Sequence, residues 1–171
     1  SQADTAEVLD VELISNGDFT ALGSEQVSNG DFSELGTDLV TDGDFATDLG
    51  GWNTITNVSW SANFGGSALM SSIGSAEAQF RKSIAYEVGK TYLISWEVKE
   101  NNGCDFFRVY NNNNFTNITD NYVGNHSLYF TCTVGAVIIF RNGTSDSDIT
   151  LDNISVQEVG ADWTLTSGAS I

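Results

Sequence analysis

The amino-acid sequence predicts an all-β protein: an antiparallel two-sheet β-sandwich of jelly-roll type, preceded by short β-turn repeats. Three observations carry this. No window of ten or more residues places an apolar stripe at helical spacing among good helix formers. Short runs of alternating apolar and polar residues recur instead, separated by Gly, Asn and Ser turns. Polarity comes from Asn, Ser, Thr and Gly rather than from charge, because only 17% of residues are charged. That mixture suits strands and turns. With 171 residues, 40% hydrophobic and 11% aromatic, the chain has enough apolar matter for one core.

The elements follow in order. Residues 1–37 form an acidic arm holding two copies of a repeat with a period of 13 residues. The first copy, residues 13–19, carries Asn16-Gly17 and Phe19. The second, residues 26–32, carries Asn29-Gly30 and Phe32. A third, residues 39–45, carries Asp42-Gly43 and Phe45 and opens the main domain. Glu12, Glu25 and Asp38 keep the same phase, and Leu22-Gly23 and Leu35-Gly36 close the first two copies. Each copy reads as a short β segment, a tight turn and an apolar anchor. Thirteen residues bury no core alone, so the units either stack or form a flexible stalk.

The domain spans residues 38–158. Strands are expected at 52–62, 67–72, 76–85 and 91–100. In the last of these, Tyr92, Ile94, Trp96 and Val98 share one face. A strand at 104–110 leads into an Asn-rich loop at 111–114. Residues 127–133 and 136–141 read as a hairpin about Val134-Gly135, and 149–158 closes the set. Residues 159–171 form a tail.

The charge pattern narrows the function. Net charge is −17, and no Lys or Arg precedes Arg81. Such a surface repels phosphate backbones and anionic lipid, so nucleic acid and membrane surfaces are poor partners and no membrane insertion is expected. It attracts divalent cations. No apolar run approaches the ~18 residues of a membrane span. Cys104 and Cys132 lack zinc-knuckle or redox spacing, which leaves a cross-strand disulfide or two buried thiols. Six sequons, at Asn57, Asn114, Asn117, Asn125, Asn142 and Asn153, matter only in a glycosylating host.

Catalysis finds no support. The sole histidine, His126, falls on an expected turn as a solvated loop residue, and scattered carboxylates specify no reaction. Asp152 is more informative, because alternation places it with Ile154 and Val156. A carboxylate on a core face requires hydrogen-bond donors or a Ca²⁺ held by oxygens, to which the Asp42-Gly43-Asp44 turn could contribute. Aromatic side chains supply a binding surface. Phe107 and Val109 share one face, while Phe106, Arg108 and Tyr110 share the other, and Tyr129 has outward parity in its own strand. Such a surface either stacks on sugar rings or packs against another protein.

Residues 39–45 through Gly51-Trp52, with 88–96 (Val-Gly-Lys-Thr-Tyr-Leu-Ile-Ser-Trp) and 151–156 (Leu-Asp-Asn-Ile-Ser-Val), resemble the carbohydrate-binding-module-like, galactose-binding-like jelly rolls of phage tail and other virion proteins. The resemblance covers about residues 38–158. It implies a two-sheet jelly roll used for glycan binding or as a spacer. It also implies a structural Ca²⁺ near the first and last strands, at Asp44 and Asp152. Ala46 stands where such modules often carry an acid. Asp162-Trp-Thr164 resembles the opening of a further module. The expectation is a non-catalytic virion structural or adhesive protein, of a tail, fibre or capsid decoration, that self-associates or contacts other virion or surface proteins. The alternatives are a secreted or surface carbohydrate-binding module, and an extracellular filament subunit assembling through its repeats.

Overall fold

The computed structural model describes residues 34–160, apart from 75, 112–113 and 134–136. Its strands are β1 (Asn53–Thr56), β2 (Val58–Ser61), β3 (Ser67–Ser72), β4 (Ala78–Ser83), β5 (Thr91–Asn102), β6 (Phe107–Asn111), β7 (Asn114–Ile118), β8 (Gly124–Thr131), β9 (Val137–Asn142) and β10 (Ser147–Glu158). They pair antiparallel into two five-stranded sheets, ordered β1-β4-β9-β6-β7 and β2-β3-β10-β5-β8. No helix among the described residues is long and apolar enough to cross a membrane.

Alternation builds the core. Tyr92, Ile94, Trp96 and Val98 of β5 point inward, as their spacing predicts. Phe80 of β4 stacks on Phe140 of β9 at 5.6 Å, with Trp52 at 4.7 Å from Phe80. Trp96, from the second sheet, meets Phe107 and Phe140 of the first at 5.7 and 6.0 Å. Each such fully buried aromatic contributes roughly 1.5–3 kcal/mol of transfer free energy. Cys104 and Cys132 are buried and unbonded.

The third repeat copy is part of this core. Phe45 is fully buried against Trp52 and Phe80, and Val40 is buried beside it. The segment runs along β10. Gly36 N–H donates to Glu158 O, Leu39 N–H donates to Val156 O, and Ile154 N–H donates to Gly43 O. Leu35 bridges Val159. The first two copies and the tail from residue 161 lie outside the described residues.

Three expectations fail for identifiable reasons. The single strand at 52–62 is two, because Asn57 takes φ 51° and turns the chain. β1 then pairs with β4 in one sheet and β2 with β3 in the other. β8 and β9 do not pair as the expected hairpin, because β8 lies on β5 in one sheet and β9 between β4 and β6 in the other; Val134 and Gly135 lie outside the described residues. Turn residues mark a reversal without saying which sheet receives the returning strand. The expected strands also lack β7, which follows the Asn-rich loop and which the β6 backbone holds with Asn111 opposite Asn114; residues 112–113 lie outside the described residues. Low β-propensity yields there to main-chain pairing.

Candidate functional site

Register decides what the outer face of the first sheet presents. Gln79 of β4 lies opposite Arg141 of β9, Arg141 opposite Arg108 of β6, and Arg108 opposite Asn117 of β7. The next row on the same face runs from Arg81 through Ile139 to Tyr110. Phe80, Phe140 and Val109 point inward, so pleating turns Gln79, Arg81, Arg108, Ile139 and Arg141 out.

Local contacts hold the arginines in place. Arg108 Nε donates to Asn117 Oδ1 at 3.2 Å, and its guanidinium lies 5.2 Å from the centre of the Phe106 ring. Glu77, just before β4, reaches Arg108 Nη1 at 3.9 Å with one oxygen and pairs with Arg141 Nη2 through the other. Phe106 precedes β6 and is half-buried. Its N–H donates to the Thr144 hydroxyl at 3.3 Å. Gly143 lets the ring lie there, because a Cβ at that position would stand 2.8 Å from it.

Phe106 and Arg108 therefore come together, and Tyr110 belongs to the same sheet, although its side chain lies outside those described. Tyr129 does not join them. It points outward and is 65% exposed, but β8 belongs to the second sheet. There it lies opposite Leu93, near a groove of about 380 Å³ lined by Leu93, Ser95, Asn125, Ser127 and Asn153. Sequence reasoning passed over Gln79, Arg81, Asn117 and Arg141. One signal was available: Arg81, Arg108 and Arg141 each adjoin inward aromatic or aliphatic residues and so carry outward parity.

Asp152 does not share the core face with Ile154 and Val156. A bulge at Asn153, φ 50°, shifts the register between Asp152 and Ser155. Leu151 faces inward opposite Val98, and Asp152 lies opposite Glu97 on the outer side. The residue is nevertheless buried, 5% exposed. Oδ1 accepts the Asn153 N–H at 2.8 Å, and Lys99 Nζ stands 3.5 Å from Oδ2. Burial pushes this carboxyl above the ordinary range, against the pull of the Asn153 N–H and Lys99. Glu97, 2.8 Å from the same ammonium, is held below it, chiefly by its hydrogen bond with Lys99.

Asp44 is exposed, and its Oδ1 accepts the Ala46 N–H at 3.5 Å. It lines a cavity of about 480 Å³ with Asp38, Asp42 and Gly43. Asp38 Oδ1 is already engaged by the N–H groups of Val40 and Val156, each at 2.9 Å. Among the described residues no group of three or more His, Cys, Asp or Glu side chains is arranged to hold a metal. His126 is not a solvated loop residue. It lies in β8, stacks on Trp96 at 5.8 Å, and its Nε2 is 2.7 Å from Tyr122 O.

No protein-family model matches the chain, and no curated protein matches it. Solved structures do. A family 16 carbohydrate-binding module shares 17% identity at a TM-score of 0.52, over 69% of this chain and 98% of its own. The CBM22-1 xylan-binding domain from Paenibacillus barcinonensis Xyn10C shares 15% at 0.52, over 74% and 97%. The enzymatically active domain of bacteriophage CBA120 tailspike protein 4 shares 18% at 0.55, over 71% of this chain but 21% of its own. At such identities the likeness is one of fold: the chain is built as a carbohydrate-binding-module-like jelly roll.

Proposed function

We propose that this chain is a non-catalytic glycan-binding module carried on a virion appendage, and that it meets sugar on the outer face of β4, β9, β6 and β7. The supporting observation is the row Gln79, Arg141, Arg108 and Asn117 beside the Phe106 ring. Sugar hydroxyls need donors and acceptors in fixed positions, while the C–H face of the ring needs an apolar partner. Amide and guanidinium side chains on adjacent strands supply the first, at ~4.8 Å strand spacing. Phe106 supplies the second. The solved structures of like fold include modules named for carbohydrate binding, which supports the same reading.

The virion placement draws on the presence of this fold in a phage tailspike and on the acidic period-13 arm, which suits attachment to a neighbouring protein or a second copy. A glycan microarray probed with the whole chain should return a defined set of sugars. Asn117→Ala and Gln79→Ala should weaken that binding by about threefold to tenfold each, the value of one hydrogen bond. Absence of binding to every glycan would overturn the reading. Mass spectrometry of purified virions tests the placement: peptides of this chain found only among secreted proteins would make it a secreted module instead.

A further inference from the structure

We infer that the glycan taken by this face is an anionic one, bearing carboxylate or sulfate groups; the inference rests on the reading of that face as the glycan site. The chain has six Lys and Arg residues against 23 Asp and Glu. The three lysines serve the fold. Lys82 reaches Thr41 O at 2.7 Å, Lys90 sits between Glu87 and Glu158, and Lys99 sits between Glu97 and Asp152. The three arginines all turn out from one sheet. Arg108 lies directly opposite Arg141, and Arg81 lies one row along on the adjacent strand.

Like charges facing each other across a ladder disfavour folding, and Glu77 offsets part of this by pairing with both Arg108 and Arg141. Arg81 is exposed and makes no ion pair among the described residues. A neutral sugar gives no reason to gather every guanidinium of an acidic chain in one place. An oxyanion does, because a guanidinium fork binds carboxylate or sulfate through two parallel hydrogen bonds. The rest of the surface repels a polyanion, which confines it to this face.

The test is affinity electrophoresis of the whole chain in gels holding polygalacturonate, dextran sulfate, xylan or unmodified dextran. Retardation is expected with at least one polyanion, weakening as NaCl rises. Polygalacturonate alone would identify carboxylate as the anion, and dextran sulfate alone would identify sulfate. Arg81→Gln should weaken the interaction about tenfold with an unchanged melting curve. Retardation by neutral glycans only, or indifference to Arg81→Gln, would overturn the inference and leave the glycan reading standing. No retardation in any gel, with an empty glycan array, would sink both.

A separate observation concerns the repeat. The geometry points to residues 21–32 as an alternative occupant of the groove along β10 that residues 34–45 fill. The backbone contacts there require no particular side chain, and most positions that do are repeated, Leu39, which packs against the core and corresponds to Gln26, being the exception. Asp38, whose carboxylate takes the Val40 and Val156 N–H groups, corresponds to Glu25. Buried Val40 and Phe45 correspond to Val27 and Phe32, and Leu35-Gly36 to Leu22-Gly23. A Cβ at Gly43 would overlap the Ile154 carbonyl oxygen, and Gly30 holds the same phase. Using residues 21–32 lengthens the connection to β1 by one period of 13 residues, a modest entropic cost.

Gly43→Ala excludes the third copy from the groove. In the whole chain this variant should still unfold cooperatively within a few degrees of wild type, with the second copy in place. The triple variant Gly17→Ala, Gly30→Ala, Gly43→Ala should lose that transition. Equal damage in the single and triple variants, or none in either, would overturn the proposal.

Discussion

Phe140→Ala tests the layered core where both sheets converge. Phe140 is fully buried on β9, with Phe80 at 5.6 Å, Trp96 at 6.0 Å, Phe107 at 6.2 Å and Trp52 at 6.3 Å. Trp96 belongs to the opposite sheet, so removing the ring opens a cavity across the sandwich rather than beside it. A buried Phe→Ala change costs about 3–5 kcal/mol in transfer and cavity terms. The upper half of that range is expected here, because four rings lose a partner. For a domain of this size, ~4 °C of Tm follows each kcal/mol, giving a fall of about 16–20 °C. Urea unfolding followed by tryptophan fluorescence measures it directly. Phe140→Leu, which keeps most of the volume, should cost less than about 1.5 kcal/mol. A loss below about 1 kcal/mol for Phe140→Ala would refute the claim that the sheets pack through this residue.

Further outcomes follow from the same contacts. Because burial raises the Asp152 carboxyl, the folded state holds its proton more tightly than the unfolded chain. The stability this proton contributes is full below the unfolded pKa of about 4 and is lost as pH rises through the raised folded value. Asp152→Asn should therefore gain on wild type between pH 4 and 7 in thermal unfolding, while Lys99 keeps Glu97; a gap constant with pH would contradict this. Tyr129→Ala should leave glycan affinity unchanged in a titration and stability within about 0.5 kcal/mol, since Tyr129 stands exposed on the other sheet. Cys104 and Cys132 are buried, and burial raises the Cys104 thiol, so both should react with a thiol reagent only as the protein unfolds.

Local pattern carried the strands well. The β5 alternation reads directly as Tyr92, Ile94, Trp96 and Val98 inward, and the outward parity of Arg108 and Tyr129 is equally legible. Parity along one strand says nothing about which strands are neighbours. Tyr129 and Arg108 thus looked like members of one surface, whereas long-range pairing puts them on different sheets. The arginines' outward parity was legible but their nearness to one another was not, since it exists only through the β4–β9–β6 register. Asp152 was misplaced by one extra residue: a bulge at Asn153 reverses every face after it, and an Asn with φ 50° leaves no trace in an alternation count. The repeat was plain in the sequence, but only the structure shows its third copy delivering Phe45 to the core.

Amide chemical shifts, followed residue by residue as a glycan from the array is titrated in, locate the ligand most directly. Perturbations should gather on Gln79, Arg81, Arg108, Asn117 and Arg141. A set centred on Ser95, Ser127 and Tyr129 would place the sugar on the opposite sheet and contradict the account.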